Sequence, residues 1–76
     1  MYYCQTEKMF STFPERLKEL RLEKGLSHMK LSEQAGVSSS SIGHWELGQR
    51  IPNLNDVVKL AQFFNVTVGY IAGVED

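Results

Sequence analysis

Glycines divide this chain into short segments and so limit what it can fold into. Apolar residues recur at helical spacing within the segments, and the spacing stops at Gly25, Gly36, Gly48 and Gly73. A glycine just after a helix is common because, without a Cβ, it easily adopts the left-handed conformation that closes many helices. Asn65 can take the same position after the fourth segment. At 76 residues the chain has room for one core, so we predict a single all-α domain of five short helices.

Capping residues predict where these helices begin. Thr12 and Glu15 have the T-x-x-E spacing of a capping box, which indicates a first helix over about residues 13–24. The later helices are expected to follow the N-cap residues Ser27, Ser38, Asn53 and Thr67. Residues 1–11 lie outside this pattern and are interpreted as an N-terminal extension or arm, which leaves residues 12–76 as the domain.

The apolar residues of the segments lie three and four positions apart, which places them on one face of each helix. The fourth segment has the broadest apolar stripe and is expected to be the best buried. The predicted core consists of Leu17, Leu20, Leu31, Ala35, Val37, Ile42, Trp45, Val57, Leu60, Ala61 and Phe64. Trp45 is assigned to the core, not to base stacking, because it shares a helix face with Ile42.

The segment from His28 to Leu47 combines two short helices with a short turn that contains Gly36. The inner positions of both helices are apolar, and the outer positions of the second helix are small or polar. This pattern is typical of a helix-turn-helix, whose second helix enters the major groove of DNA.

Further elements at fixed spacing extend this pattern over about residues 13–73. They are Leu26-Ser27, Gly36-Val37-Ser38, Trp45-Glu46, Gly48, Pro52 and Leu60-Ala61. Together they resemble the phage-repressor (Cro and XRE-type) family of DNA-binding domains. The resemblance implies a compact five-helix, lambda-repressor-like fold with the helix-turn-helix at helices 2 and 3. It also implies sequence-specific binding to double-stranded DNA as a transcriptional regulator, with repression the expected sign. One departure is Ser32, where the family usually has alanine, and serine is small enough to fit.

The resemblance assigns DNA contacts position by position, with residues 38–47 as the recognition helix. The base contacts that it implies are Ser39, Ser40, Gly43 and His44. Serine hydroxyls discriminate weakly because they both donate and accept, whereas His44 is expected to donate to guanine N7 or O6. The alternatives are a solvated helix face for the serines and a phosphate or water contact for His44.

The phosphate contacts implied in the same way are Ser27, His28, Ser41, Arg50 and Asn53. Ser27 and Asn53 are expected at helix N-termini, whose unpaired N–H groups suit an anionic oxygen. Plain helix capping is the alternative for these two residues, and it is compatible with a phosphate contact. A solvated loop side chain is the alternative for Arg50.

Glu46 is the only acidic residue of the recognition helix, where an unpaired carboxylate would repel phosphate. The resemblance implies a salt bridge from Glu46 to Arg21 of helix 1. The net charge is −1, and the other acids lie mostly in the arm, helix 1 and the C-terminal tail. We therefore expect a nearly neutral DNA surface and a mild salt dependence of binding.

One recognition helix contacts only a few base pairs, and the family usually dimerises, so a homodimer on a pseudo-palindromic operator is expected. The candidate dimer surfaces are the end of helices 4 and 5, with Phe63, Val68, Tyr70, Ile71 and Val74, and the arm, with Tyr2, Tyr3, Met9 and Phe10. A second hypothesis is a protein-interaction module or an antitoxin-like partner on the same scaffold, with weak or secondary DNA binding.

An enzyme is not expected. His44 and Glu46 lie two positions apart on one helix and diverge by about 200°. Cys4, His28 and His44 lack metal-ligand spacing, so neither a metal nor another cofactor is expected. The domain is too small for a small-molecule site beside its core. No apolar run has the length of a membrane helix, and the single cysteine fits a reducing cytoplasm.

Overall fold

The computed structural model describes residues 11–74, which form five α-helices and no strand. The helices are α1 (Phe13–Glu23), α2 (His28–Ala35), α3 (Ser39–Glu46), α4 (Leu54–Phe64) and α5 (Val68–Ala72). The predicted all-α, five-helix class is therefore correct. Most of the predicted arm, with Tyr2, Tyr3, Met9 and Phe10, lies outside the described residues. Within residues 11–74 no helix is both long enough and apolar enough to cross a membrane.

Side-chain caps begin three of the helices, as predicted. Ser27, Asn53 and Thr67 accept hydrogen bonds from the backbone N–H groups of Lys30, Asp56 and Tyr70 respectively, at 3.1, 2.8 and 3.0 Å. Each bond satisfies a donor that has no partner within its own helix. The starts of α2, α4 and α5 are therefore fixed by local sequence.

Two other predicted N-cap residues, Thr12 and Ser38, lie at the N-cap positions of α1 and α3, but neither makes the expected capping hydrogen bond. Thr12 has helical dihedral angles (φ −101°, ψ 0°) and makes no capping hydrogen bond, because a capping side chain needs the extended backbone that Thr12 lacks. Its Oγ1 is buried with no hydrogen-bond partner among the described residues and faces Gly73. Ser38 has extended backbone, but its hydroxyl pairs with that of Ser40 at 3.0 Å instead of capping α3.

The core lies where the helices meet. Nine of the eleven predicted core residues are buried, and Phe13 and Ile71 join the same cluster. Leu20 and Ala35 are only half-buried, which corrects their assignment. The buried stripe of α1 runs through Phe13, Leu17 and Arg21, and Leu20 lies about 60° away from it. Ala35 is the last residue of α2, beside the exposed Gly36.

The packing places α3 against α1 and α2, while α4 packs on α2 and α5. Trp45 of α3 is 3% exposed and lies edge-on to Phe13 of α1, with ring centroids 6.1 Å apart. Arg16 joins α1 to α5, since its guanidinium donates to the Tyr70 carbonyl and lies 4.3 Å from the centre of the Tyr70 ring. One face of α3 is thus held by the core and the other remains open.

Candidate nucleic-acid interface

The turn between α2 and α3 is held by two side-chain hydrogen bonds that the sequence did not predict. Gly36 adopts φ 80° and ψ 32°, a conformation that a residue with a Cβ rarely takes. The Ser32 hydroxyl donates to the carbonyl of Val37, and Lys59 Nζ of α4 donates to the carbonyl of Gly36 at 3.2 Å. These bonds fix the turn and with it the direction of α3.

A buried ion pair fixes the other end of α3. Arg21 Nε donates to Glu46 Oε2 at 2.7 Å, and Arg21 Nη2 donates to Oε1 at 3.0 Å. Arg21 Nη1 also donates to the Leu26 carbonyl at 2.8 Å, so one guanidinium joins α1, the loop before α2 and the end of α3. The predicted salt bridge between Arg21 and Glu46 is therefore confirmed.

His28 completes this network. Its Nε2 lies 3.2 Å from Glu46 Oε1 and donates, because a carboxylate only accepts. Burial opposes ionisation of Glu46, but the hydrogen bonds from Arg21 and His28 outweigh it and hold the pKa of this carboxyl below its ordinary value. The Glu46 side chain is only 7% exposed. The carboxylate is therefore shielded from an approaching phosphate.

The bond to Glu46 changes how His28 can contact DNA. A neutral imidazole has one N–H, and that of His28 is already donated to Glu46. The neutral ring therefore has no donor left for a phosphate. The backbone N–H of His28 remains, because it belongs to the first residue of α2 and has no partner within the helix.

The four predicted base contacts share the open face of α3. Ile42 and Trp45 are buried on the opposite face, whereas Ser40 and His44 are exposed and Ser39 and Gly43 are half-buried. A Cβ built on Gly43 would meet only the His28 ring, at 3.9 Å, which is ordinary contact. The structure thus brings Ser39, Ser40, Gly43 and His44 together on a surface without long side chains.

His44 is held by a bond within its own helix. Its Nδ1 lies 2.9 Å from the carbonyl oxygen of Ser40, one turn earlier. The carbonyl only accepts, so Nδ1 carries the hydrogen. This contact orients the ring on the open face of α3, and sequence spacing alone does not predict it.

A polar cleft of about 330 Å³ lies where α3 approaches the start of α4. Three predicted phosphate contacts, Ser41, Arg50 and Asn53, line it together with Asp56. Arg50 is exposed and Asn53 caps α4. The other two, Ser27 and His28, lie instead at the start of α2, where the Ser27 oxygen accepts from Lys30 while its hydroxyl hydrogen can still be donated.

Comparison with known proteins finds similarity over most of the chain. A helix-turn-helix family model matches residues 17–71, which extend from α1 to α5. The chain is 36% identical over 64 residues to the HTH-type transcriptional activator BcrR of Enterococcus faecalis, covering 84% of this chain and 31% of that protein. It is 37% identical over 62 residues to the uncharacterized HTH-type transcriptional regulator YobD of Bacillus subtilis (strain 168), covering 82% and 55%. The chain thus spans only about a third to a half of these two relatives.

Solved structures have the same fold. The restriction-modification controller protein C.AhdI from Aeromonas hydrophila is 35% identical with a TM-score of 0.73, over 82% of this chain and 94% of that chain. The P22 c2 repressor, solved in complex with a synthetic operator, has a TM-score of 0.76 at 22% identity, over 83% and 96%. The second likeness concerns the fold alone.

Proposed function

The chain belongs to the phage-repressor-like (Cro/XRE-type) family of helix-turn-helix transcriptional regulators, and we propose that it regulates transcription by inserting α3 into the major groove of double-stranded DNA. The open face of α3 carries this proposal. It presents Ser39, Ser40, Gly43 and His44 without an acidic side chain, because Glu46 is turned inward to Arg21 and His28. The major groove is about 12 Å wide and admits a helix. Because the side chains on this face are short, the backbone of α3 can come close to the base edges.

In this proposal the four residues of the open face contact base edges. Ser39 and Ser40 offer hydroxyls, which tolerate either donors or acceptors. Gly43 permits close approach to a base or a thymine methyl group. His44 is the only one of the four with a ring, and we expect it to contribute most to base specificity.

The phosphate contacts flank α3 on both sides. On one side Ser27 offers its hydroxyl hydrogen and His28 its backbone N–H, at the start of α2. On the other side Ser41, Arg50 and Asn53 surround the polar cleft, where the N-terminus of the eleven-residue α4 adds a partial positive charge. Arg50 supplies the only exposed formal charge of residues 38–50.

We also propose a homodimer on a pseudo-palindromic operator, because one recognition helix contacts too few base pairs for useful specificity. An apolar groove supports it. The groove has a volume of about 300 Å³ and is lined by Pro52, Leu54, Val57, Val68, Gly69, Ala72 and Val74. Leu54 and Val74 are 73% and 51% exposed. Ile71, a candidate from the sequence, is fully buried and contributes nothing to this surface.

The experiment that tests DNA binding is selection of bound duplexes from a random pool, followed by gel shift on the selected site. We expect His44→Ala and Arg50→Ala each to weaken binding, by roughly 1–3 kcal/mol for the base contact. Lys18→Ala is a matched control for loss of a positive charge, because Lys18 is exposed on α1 and does not line the polar cleft. Unchanged binding by both variants would show that the DNA surface lies elsewhere.

If no sequence is selected, the alternative function gains support: a protein-interaction module or antitoxin-like partner that uses the apolar groove. The matched relatives are named as regulators, not enzymes. The proposal includes no cofactor and no small-molecule ligand. We propose a cytoplasmic location because the matched relatives come from bacteria, where DNA lies in the cytoplasm.

A further inference from the structure

We infer that His44 acts as a hydrogen-bond acceptor toward DNA and favours an adenine or cytosine amino group over guanine or thymine. This inference rests on the proposed function, since it requires α3 in the major groove. It is the opposite of the sequence-based expectation that His44 donates to guanine N7 or O6, and the experiments below decide between the two. The observation behind it is the 2.9 Å contact between His44 Nδ1 and the carbonyl oxygen of Ser40.

The contact determines the chemistry of both ring nitrogens. A backbone carbonyl has no hydrogen to give, so the hydrogen in this bond belongs to Nδ1. A neutral imidazole has a single N–H, and Nε2 is then left with an unshared lone pair. The ring is exposed and no residue of the described part of the chain bonds to Nε2. The atom of His44 available to a base is therefore an acceptor.

The four bases differ in whether they offer a hydrogen-bond donor to such an acceptor in the major groove. Adenine N6 and cytosine N4 are amino groups and donate, whereas guanine presents only N7 and O6 and thymine presents O4, all acceptors. If Nε2 faced an acceptor of guanine or thymine, both atoms would lose their water without gaining a hydrogen bond, which is unfavourable. On the strand that His44 faces, we expect adenine or cytosine to be favoured by about tenfold, near the lower end of the range for one base contact.

The scaffold keeps this acceptor in place. The Ser40 carbonyl belongs to the backbone of α3, and α3 is fixed by the buried Ile42 and Trp45 and by the Arg21–Glu46 pair. The ring is thus fixed before DNA arrives, at little further cost in side-chain entropy on binding. No rearrangement of the backbone is needed for Nε2 to accept.

The first experiment measures the tautomer directly, by long-range ¹H–¹⁵N correlation spectra of both imidazoles in the full chain at pH 8, where free imidazole is neutral. His44 is expected in the Nδ1–H form. His28 is an internal control with the opposite form, because its Nε2–H donates to Glu46. His44→Ala assigns the signals. An Nε2–H tautomer at His44 would overturn the inference.

The second experiment compares the duplexes that wild type, His44→Ala and His44→Arg select at pH 8. Wild type should favour adenine or cytosine at one position per half-site. His44→Ala should lose the preference at that position and keep the preferences at the others. His44→Arg should select guanine there, because arginine only donates. Selection of guanine by the wild type at that position would contradict the inference while leaving DNA binding established. Failure of the wild type to select any sequence would overturn the proposed function and the base preference with it.

Discussion

Arg21 and Glu46 meet through two hydrogen bonds, of 2.7 and 3.0 Å, that join the last turn of α1 to the last residue of α3. The side chains are 11% and 7% exposed. A pair so well buried is costly to break, because the remaining partner is left as an uncompensated charge. The same bonds keep a carboxylate off the face of α3 that we propose for DNA.

Loss of either partner should therefore destabilise the domain strongly. We expect Glu46→Gln to lower the free energy of unfolding by about 3 kcal/mol, measured by urea titration. The combination of Arg21→Met with Glu46→Leu should recover most of that loss, because apolar groups of similar volume replace a buried ion pair at little cost. Glu19→Gln, on the exposed face of α1, should stay within about 0.5 kcal/mol of wild type. A Glu46→Gln variant no less stable than Glu19→Gln would contradict the prediction.

The same pair should make stability depend on acid pH. Because the folded pKa of Glu46 lies below its ordinary value of 4.5, the unfolded chain takes up a proton first as the pH falls. The stabilisation from this group is thus complete above about pH 4.5 and is lost as the pH drops through the folded pKa. Urea midpoints from pH 7 to 3 should show the difference between wild type and Glu46→Gln shrinking toward acid. A constant difference over that range would mean that Glu46 has no such linkage.

Ser32 and Ser38 flank the same turn, but removal of the Ser32 hydroxyl should destabilise the domain more than removal of the Ser38 hydroxyl. Ser32→Ala should cost about 1 kcal/mol, because the Val37 carbonyl loses a donor near the core. Ser38→Ala should cost under about 0.5 kcal/mol, since among residues 11–74 the exposed Ser38 hydroxyl bonds only to that of Ser40 and does not cap α3. Thermal or urea unfolding measures both. Equal costs, or a larger cost at Ser38, would refute this assignment of roles.

The sequence predicted where the helices lie but only some of the side-chain hydrogen bonds. Helix positions follow from local signals: the predicted first helix over 13–24 is observed over 13–23, and the recognition helix predicted over 38–47 is observed over 39–46. Apolar spacing likewise placed Ile42 and Trp45 in the core. Such features depend on residues a few positions apart, so a local pattern is sufficient.

Side-chain hydrogen bonds depend on rotamers and on distant neighbours, and local patterns do not determine them. Lys59 is 23 positions from Gly36 in the sequence, yet it bonds to the carbonyl of that residue. The backbone of Thr12 is helical where a cap needs it extended, so correct spacing to Glu15 was not enough. The tautomers of His28 and His44 follow from their partners Glu46 and Ser40, which only the three-dimensional arrangement reveals.

Salt dependence tests the nearly neutral DNA surface. If a dimer makes about four cationic phosphate contacts, two in each protomer with Arg50 as one of the two, the log–log slope of the binding constant against salt concentration should be about −3.6. Arg50→Ala removes one contact from each protomer, so its slope should fall to about −1.8, while Lys18→Ala should keep the wild-type slope. Gel shifts or anisotropy over a range of salt concentrations measure all three. A wild-type slope steeper than about −7 would reveal a basic surface that residues 38–50 do not supply.

The apolar groove predicts how dimerisation can be broken without unfolding the domain. Leu54 is the first residue of α4 and 73% exposed, so Leu54→Asp places a charge in the groove while its carboxylate suits the positive end of the helix. We expect at least a tenfold weaker dimer by sedimentation equilibrium, because burying an unpaired carboxylate is unfavourable. Met29→Asp is the matched control, an exposed apolar residue in the first turn of α2, and it should dimerise as wild type does. A monomeric wild type at every concentration would refute the homodimer. Equal dimerisation of Leu54→Asp and wild type would exclude this groove as its interface.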